Sequence, residues 1–443
     1  MFDFAIAKIF SVKTPTDLQK SAVARDNAIL SALSIRLLLE FEPRRDDARA
    51  RESALVAGHM RCCYSVPKHR RYLRSGTPSE PVLAEAAARI MNKFPCPVEN
   101  LKGFLENGLI SKGERGELVA QLLLTLAHDQ ALLSDLAHDL VIYSQPVPVI
   151  NFLKKLISRK HLEGILQSQP ANVFKGQTLE EAFQDARLNF THFVKAGESR
   201  IISDELAWMG LARGMAFVCA NGEEAIDLVI PILLWDKPLS RFVVSAIFFQ
   251  FKNRVSKKRV NTIDAVKLGF FTPAKSGEPD EVKRYNIRPY ITVVMNLGVV
   301  QHLSMSKTGG KERSQGKPPP VQTEPGPTRV QPQRGKTNKE VHPRYAITIT
   351  GCSNEVYGVI GSGTEASFAQ MLSMYDLLNE HPRPDKKYQD AVLRMKPFWM
   401  YNPNSLHWTD HTMEQEVPEL ETVHTGQEAE GYESDSDMEV KEG

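Results

Sequence analysis

The chain has 443 residues, of which 42% are hydrophobic and 24% are charged, proportions that indicate a globular protein with a sizeable core. The net charge of +2 conceals an acidic end from Glu414, with 11 acidic residues and one lysine, and a preceding part of +12 that favours polyanionic or acidic partners. Five cysteines without a C-x-x-C spacing argue against a disulfide framework or a zinc ribbon. Without a signal peptide or an apolar run of transmembrane length, we expect an intracellular protein of the nucleus or cytoplasm and no membrane partner.

Helices are predicted throughout the first hundred residues. Apolar positions recur every three or four residues over 19–40, and a second helix is predicted over 51–64. A third helix follows Ser79, its predicted N-cap, with Pro81 in the first turn. Residues 1–100 are therefore interpreted as a helical N-terminal region.

Three more helical stretches precede a change of period. A long apolar helix, or a broken pair of helices, is predicted from residue 114, with Glu117 in the first turn and with His128 and Asp129 on an ordinary helix surface. Further helices are predicted over 148–157 and 178–196.

Five short runs rich in β-branched and aromatic residues then predict strands. They read GMAFVCA, AIDLVIPILL, RFVVSAIFFQFK, YITVVMNLG and YAITITG, and a last helix is predicted over 365–381. The pattern indicates an α/β or α+β domain over 101–401 in which helices flank one central mixed sheet.

Two segments lack the apolar residues to fold. Residues 304–344 contain seven prolines and nine lysines or arginines, so we expect a disordered, basic insert within one domain. Residues 402–443 predict a disordered acidic tail. The tails and the helical N-terminal region are candidate surfaces for protein partners.

Polar residues lie at the ends of two apolar runs, where packing alone does not require them. Asp227 stands near the start of one predicted strand, and Gln250 and Lys252 stand at the end of the next. If the strands are adjacent and antiparallel, the three side chains converge, with Gln250 and Lys252 on one face. Carboxylate and amide oxygens bind hard divalent ions such as Mg²⁺, and a nearby ammonium stabilises developing charge at a phosphate.

This pattern resembles the core of the PD-(D/E)xK nuclease superfamily, the restriction-endonuclease-like fold, and its Q-x-K form is similar to the Mrr-type restriction endonucleases. The resemblance covers residues 111–300. It implies that Glu117 is a helix acid of the site, that Asp227 and Gln250 join it as metal-site residues for Mg²⁺ or Mn²⁺, and that Lys252 is the catalytic lysine. Ile226 precedes Asp227 where the family has proline, and Gln250 is neutral where most members carry a carboxylate.

The whole chain also resembles a multi-copy family of mushroom-forming fungi. This second resemblance rests on the segments GERGELVAQLLLTLAHD and FFQFKN. It implies no particular activity.

A basic cluster follows the Q-x-K triplet. It consists of Arg254, Lys257, Lys258 and Arg259, which suit contacts to nucleic-acid phosphates. A charged, solvated loop is an equal interpretation of the same residues.

Three functions are compatible with these observations. The first is a metal-dependent phosphodiesterase, active or degenerate, that acts on DNA, with RNA as the less favoured substrate. The second is a non-catalytic nucleic-acid-binding module of nuclease fold, and the third is a protein-interaction scaffold. Convergence of Glu117, Asp227, Gln250 and Lys252 in one cleft would favour the first two.

Overall fold

A computed structural model shows the protein in the ranges where its structure is described. They are residues 1–12, 22–43, 45–68, 73–93, 97–110, 115–133, 141–198, 201–220, 226–235, 237–253, 262–272, 287–298, 320–324 and 341–373. Met1–Ser373 forms one compact unit, and the predicted acidic tail lies outside the described residues.

The described helices flank a mixed sheet, so the predicted mixed α/β class is confirmed. They are α1 (Phe2–Ile9), α2 (Ala22–Arg36), α3 (Asp46–Gly58), α4 (Pro81–Lys93), α5 (Pro97–Glu106), α6 (Arg115–Leu133), α7 (Val149–Leu156), α8 (Arg159–Leu166), α9 (Leu179–Phe183), α10 (Asp204–Arg213) and α11 (Glu365–Ser373).

The strands form a small hairpin and one larger sheet. They are β1 (Cys62–Ser65), β2 (Arg74–Gly76), β3 (Val147–Pro148), β4 (Arg187–Leu188), β5 (His192–Lys195), β6 (Met215–Val218), β7 (Leu228–Leu233), β8 (Val244–Lys252), β9 (Tyr290–Asn296), β10 (Val321–Thr323) and β11 (Arg344–Thr350).

The larger sheet is mixed, as its sequence pattern predicts. Its order in the described residues is β10-β11-β9-β8-β7-β4-β3, with β6 also paired to β7 and β5 paired to β6. β7 and β8 are antiparallel, whereas β8, β9 and β11 run parallel to one another. The carboxyl ends of these three parallel strands therefore lie at one edge.

The predicted helix over 51–64 is wrong at its C-terminal end, because residues 62–65 form β1, which pairs with β2. Met60 adopts a positive φ of 64°, which stops a right-handed helix. The Arg61 guanidinium then donates to Ser34 Oγ at 2.6 Å. A buried tertiary bond thus directs the chain into the hairpin, which local periodicity cannot reveal.

The prediction of one helix over 178–196 is also wrong. Only α9 forms, with Thr178 in a capping box with Glu181, and β4 and β5 follow. Phe190 and Phe193 are buried against each other, with ring centroids 5.6 Å apart. Pairing of β5 with β6 and burial of these rings outweigh the local helical pattern.

Ser79 is not the N-cap of α4, although Pro81 is its first residue, as the sequence predicts. The Ser79 hydroxyl lies 2.8 Å from His192 Nε2.

Part of the predicted disordered insert is ordered. Within it, β10 forms and pairs with β11.

His128 and Asp129 are fully buried, so their predicted place on a helix surface is wrong. α6 has no exposed residue, and its apolar residues surround the helix, which is typical of a helix enclosed by others. The Asp129 carboxylate accepts two hydrogen bonds from the Arg36 guanidinium, the longer at 2.8 Å. Arg36 also donates to the Thr191 carbonyl at 2.8 Å, and Asn92 donates to Asp129 at 2.7 Å.

The Arg36–Asp129 pair also shifts the pKa of Asp129. Burial by itself raises the pKa of Asp129, but the Arg36 charge and its hydrogen bonds override burial and lower the pKa to about 2. The ionised carboxylate therefore stabilises the fold above its ordinary pKa of 3.8, and this stabilisation is lost as pH falls toward 2.

We predict that Asp129→Ala lowers the free energy of unfolding at pH 7 by about 3–5 kcal/mol, because it leaves the Arg36 charge buried without its partner. Denaturant unfolding measures the effect. Asp46→Ala, which removes an exposed carboxylate paired with Arg49, is the matched control and should change stability by less than about 0.5 kcal/mol. Equal effects of the two substitutions would contradict the role of the buried pair.

Candidate functional site

The end of β8 lies beside the start of β7, as the convergence argument requires. Leu228 pairs with Phe249, and one residue earlier the Asp227 amide donates to the Phe249 carbonyl at 2.9 Å. The antiparallel register ends at Leu228, because Asp227 lies in a bend and bonds to Phe249 rather than pairing with Gln250. The fold thus brings the predicted acid and the Q-x-K triplet together.

The Asp227 carboxylate extends the strand ladder. Its Oδ2 accepts a hydrogen bond from the Phe251 amide, where a strand carbonyl would otherwise stand. Burial raises the pKa of the Asp227 carboxyl, while the Phe251 amide and the positive charge of Lys252 lower it. The raised pKa indicates that burial is the stronger effect, so this carboxylate is incompletely compensated.

Gln250 and Lys252 share a face of β8 with core residues. The even-numbered residue Phe248 packs in the same apolar cluster as Val294 of β9 and Leu211 of α10. By alternation Gln250 and Lys252 point to this α10 side. Gln250 is only 1% exposed and Lys252 is half-buried, so the row of polar groups runs from the interior to the sheet edge.

α6 reaches the same end of β8 from the opposite side. A Cβ on Gly116 would lie 2.9 Å from the Cβ of Asn253, the residue after Lys252, whose side chain follows the alternation to the opposite face. Asn253 also donates to the Leu372 carbonyl of α11 at 3.5 Å. Glu117, half-buried in the first turn of α6, is near this strand end but on the α6 side, opposite to the face of Gln250 and Lys252. The four predicted residues therefore do not share one face, and the membership of Glu117 in the site stays a prediction.

The predicted nucleic-acid contacts cannot be placed. Arg254, Lys257, Lys258 and Arg259 lie outside the described residues, so both interpretations of this cluster stay open.

The side-chain oxygens at this site are of the type that binds a divalent cation. Oδ2 of Asp227 is bonded to Phe251, and Oδ1 accepts no hydrogen bond within the described part of the chain, so one carboxylate oxygen can face an ion. Mg²⁺ keeps several waters and uses one or two protein carboxylates. In the described ranges no three His, Cys, Asp or Glu side chains form a potential metal group, so the ion would depend on few charged ligands.

Sequence reasoning missed Asn296, which ends β9 beside Lys252. The signal was present in the sequence, because YITVVMN also closes an apolar strand with a polar residue. Only the parallel pairing of β8 and β9 shows that the two strand ends share an edge.

The fold and the site together define a mixed α/β protein with a polar site at the ends of its central strands. The family model described as "Domain of unknown function (DUF8736)" matches residues 21–317, and the chain belongs to this family. No curated protein and no solved structure matches the chain. In the described residues no helix is long and apolar enough to cross a membrane.

We predict that Gly116→Ala destabilises the protein by about 1–3 kcal/mol, because the new Cβ meets Asn253 and forces α6 and β8 apart. Gly164→Ala in α8 is the matched control, since no atom lies within 4 Å of its added Cβ. That control should stabilise by about 0.5–1 kcal/mol through helix propensity. Denaturant unfolding compares the two variants, and stabilisation by both would refute the close approach of α6 to β8.

Proposed function

We propose that this chain is a nuclease-like protein that binds DNA at the strand-end site and cleaves phosphodiesters with Mg²⁺ or Mn²⁺. One observation carries the proposal: the Asp227 carboxylate accepts a hydrogen bond from the Phe251 amide, between Gln250 and Lys252, where β7 begins and β8 ends. The order of a helix, an acid-bearing strand and an antiparallel Q-x-K strand supports the resemblance to the restriction-endonuclease-like fold.

Each side chain has a distinct part in this proposal. The oxygens of Asp227 and Gln250 would hold the cation. Glu117, the further acid that the resemblance implies, lies at the same strand end on the α6 side. The bound cation would polarise the phosphate and activate a water molecule. Lys252 would stabilise the negative charge that develops on the phosphate. Its positive charge lowers the pKa of Asp227, which supports its closeness to the proposed cation ligand.

A second candidate is a nucleic-acid-binding module of the same fold that does not cut. The neutral, buried amide of Gln250 and the hydrogen bond from Phe251 to Asp227 favour it. Both features reduce the negative charge available to a cation, and fewer charged ligands mean weaker binding of a hard ion. The two candidates share a DNA-binding surface and differ in turnover.

A cleavage assay on single- and double-stranded DNA with Mg²⁺ or Mn²⁺ tests the first candidate. We expect cleavage by the wild type, and a loss of about 10² or more in rate for Lys252→Ala, because a charge that stabilises the transition state is removed. Lys267→Ala, at an exposed turn position, is the matched control and should keep full activity.

Other results of the assay separate the candidates. DNA binding without cleavage under either cation would leave the non-cutting module. Absence of both cleavage and DNA binding would overturn both candidates. Equal activity of the two lysine variants would remove Lys252 from the mechanism.

We further predict that Gln250→Glu lowers the thermal midpoint in a chelator, because it buries a second carboxylate beside Asp227. Adding Mn²⁺ should raise the midpoint more in this variant than in the wild type, since a ligand that binds the folded state more tightly stabilises it more. Differential scanning fluorimetry measures both effects. Identical Mn²⁺ responses would argue against a cation at Gln250.

A further inference from the structure

The carboxyl ends of three parallel strands align at one edge of the sheet. Lys252 of β8 pairs with Asn296 of β9, and Asn296 pairs with Thr350 of β11. Adjacent strands are about 4.8 Å apart. The Lys252 and Asn296 side chains therefore start next to each other at the point where the sheet ends.

These two side chains lie on the same face of the sheet as Gln250. Gln250 pairs with Val294, and Val294 belongs to the apolar cluster on the α10 side. Two residues further along each strand, Lys252 and Asn296 point to that same side. Both are half-buried, so they are accessible from the edge while their backbones remain in the sheet.

The polar groups on this face form two rows with different chemistry. The inner row contains Gln250, with the Asp227 carboxylate next to it at the Phe251 amide; their oxygens are acceptors that suit a cation. The outer row contains Lys252 and Asn296, whose ammonium and amide groups are donors that suit a phosphate. The rows are separated by two residues, or about 7 Å along the strands. This separation allows a hydrated ion on one row and a phosphate on the other.

The backbone holds the outer row in place. The Leu297 amide donates to the Lys252 carbonyl at 2.8 Å, and the Gly351 amide donates to the Asn296 carbonyl at 2.9 Å. These bonds continue the ladders just past the strand ends. A donor on a fixed backbone loses less entropy when it binds a ligand than a donor on a loop.

We propose that Asn296 is a phosphate-binding residue, which donates its side-chain amide to a phosphate oxygen of DNA beside Lys252. The inference rests on the proposed function and adds the group that orients the phosphate. Lys252 supplies a charge with little directional preference, whereas the planar amide of Asn296 supplies a directed hydrogen bond.

Equilibrium binding of a fluorescently labelled DNA duplex tests this inference, with Ca²⁺ in place of Mg²⁺ to limit cleavage. We expect Asn296→Ala to weaken binding about tenfold, the effect of one hydrogen bond to a charged group. Because Asn296 is neutral, the salt dependence of binding should keep its slope. Lys252→Ala should reduce that slope by about one, since one fewer counterion is released.

Asn253→Ala is the matched control, because it changes the same residue type at the same end of the sheet but on the α6 side. It should lower the thermal midpoint and leave the DNA dissociation constant unchanged. Asn296→Ala should show the reverse. Asn296→Asp, which keeps the shape and replaces a donor by a negative charge, should weaken DNA binding more than alanine does and covers the case in which the alanine variant does not fold.

Different failures have different meanings. If the wild type binds DNA and Asn296→Ala and Asn296→Asp bind equally well, the role of Asn296 is overturned and the proposed function is unaffected. If Asn296→Ala loses stability as Asn253→Ala does and Asn296→Asp binds normally, Asn296 is a structural residue. If the wild type binds no DNA at any salt concentration, the proposed function fails and this inference fails with it.

Discussion

The buried ion pair between Arg36 and Asp129 is the constraint on which the arrangement of the helices depends. Neither charge reaches water, so each is stabilised by the other and by neighbouring hydrogen bonds. The pair joins α2 to α6, Asn92 of α4 donates to the same carboxylate, and Arg36 donates to the Thr191 carbonyl just before β5. Two helices of the N-terminal region are thereby fixed to the sheet domain in one polar cluster.

A second buried pair holds the sheet from its other side. Arg288 donates to Asp204, the first residue of α10, at 3.0 Å and to the Val244 carbonyl at the start of β8 at 3.2 Å. At the opposite end of β8, Gly116 of α6 packs against Asn253. The strand that carries the Q-x-K triplet is therefore held at both ends, and a fixed strand presents its polar groups in a fixed geometry.

Asp227 combines two demands that oppose each other. Its carboxylate accepts a hydrogen bond from Phe251 and so extends the sheet. The same carboxylate is buried and has a raised pKa, so a nearby positive charge would stabilise its ionised form. Lys252 supplies part of that charge, and a divalent cation would supply the rest. The neutral amide of Gln250 weakens the site for a cation but not for a phosphate. Under the proposed function, the charge of the inner row would decide between a cutting and a non-cutting protein, and the donors of the outer row would serve both.

The five predicted strands and the class of the fold could be inferred from the sequence, because β-branched and aromatic runs mark strands locally. The approach of Asp227 to the Q-x-K triplet could also be inferred, since two consecutive apolar strands commonly pair. Only the tertiary structure decided that Asp129 is buried against Arg36, that residues 62–65 form a hairpin, and that Asn296 lies beside Lys252. Each depends on partners that are distant in the chain, and local periodicity does not reveal the free energy of such contacts.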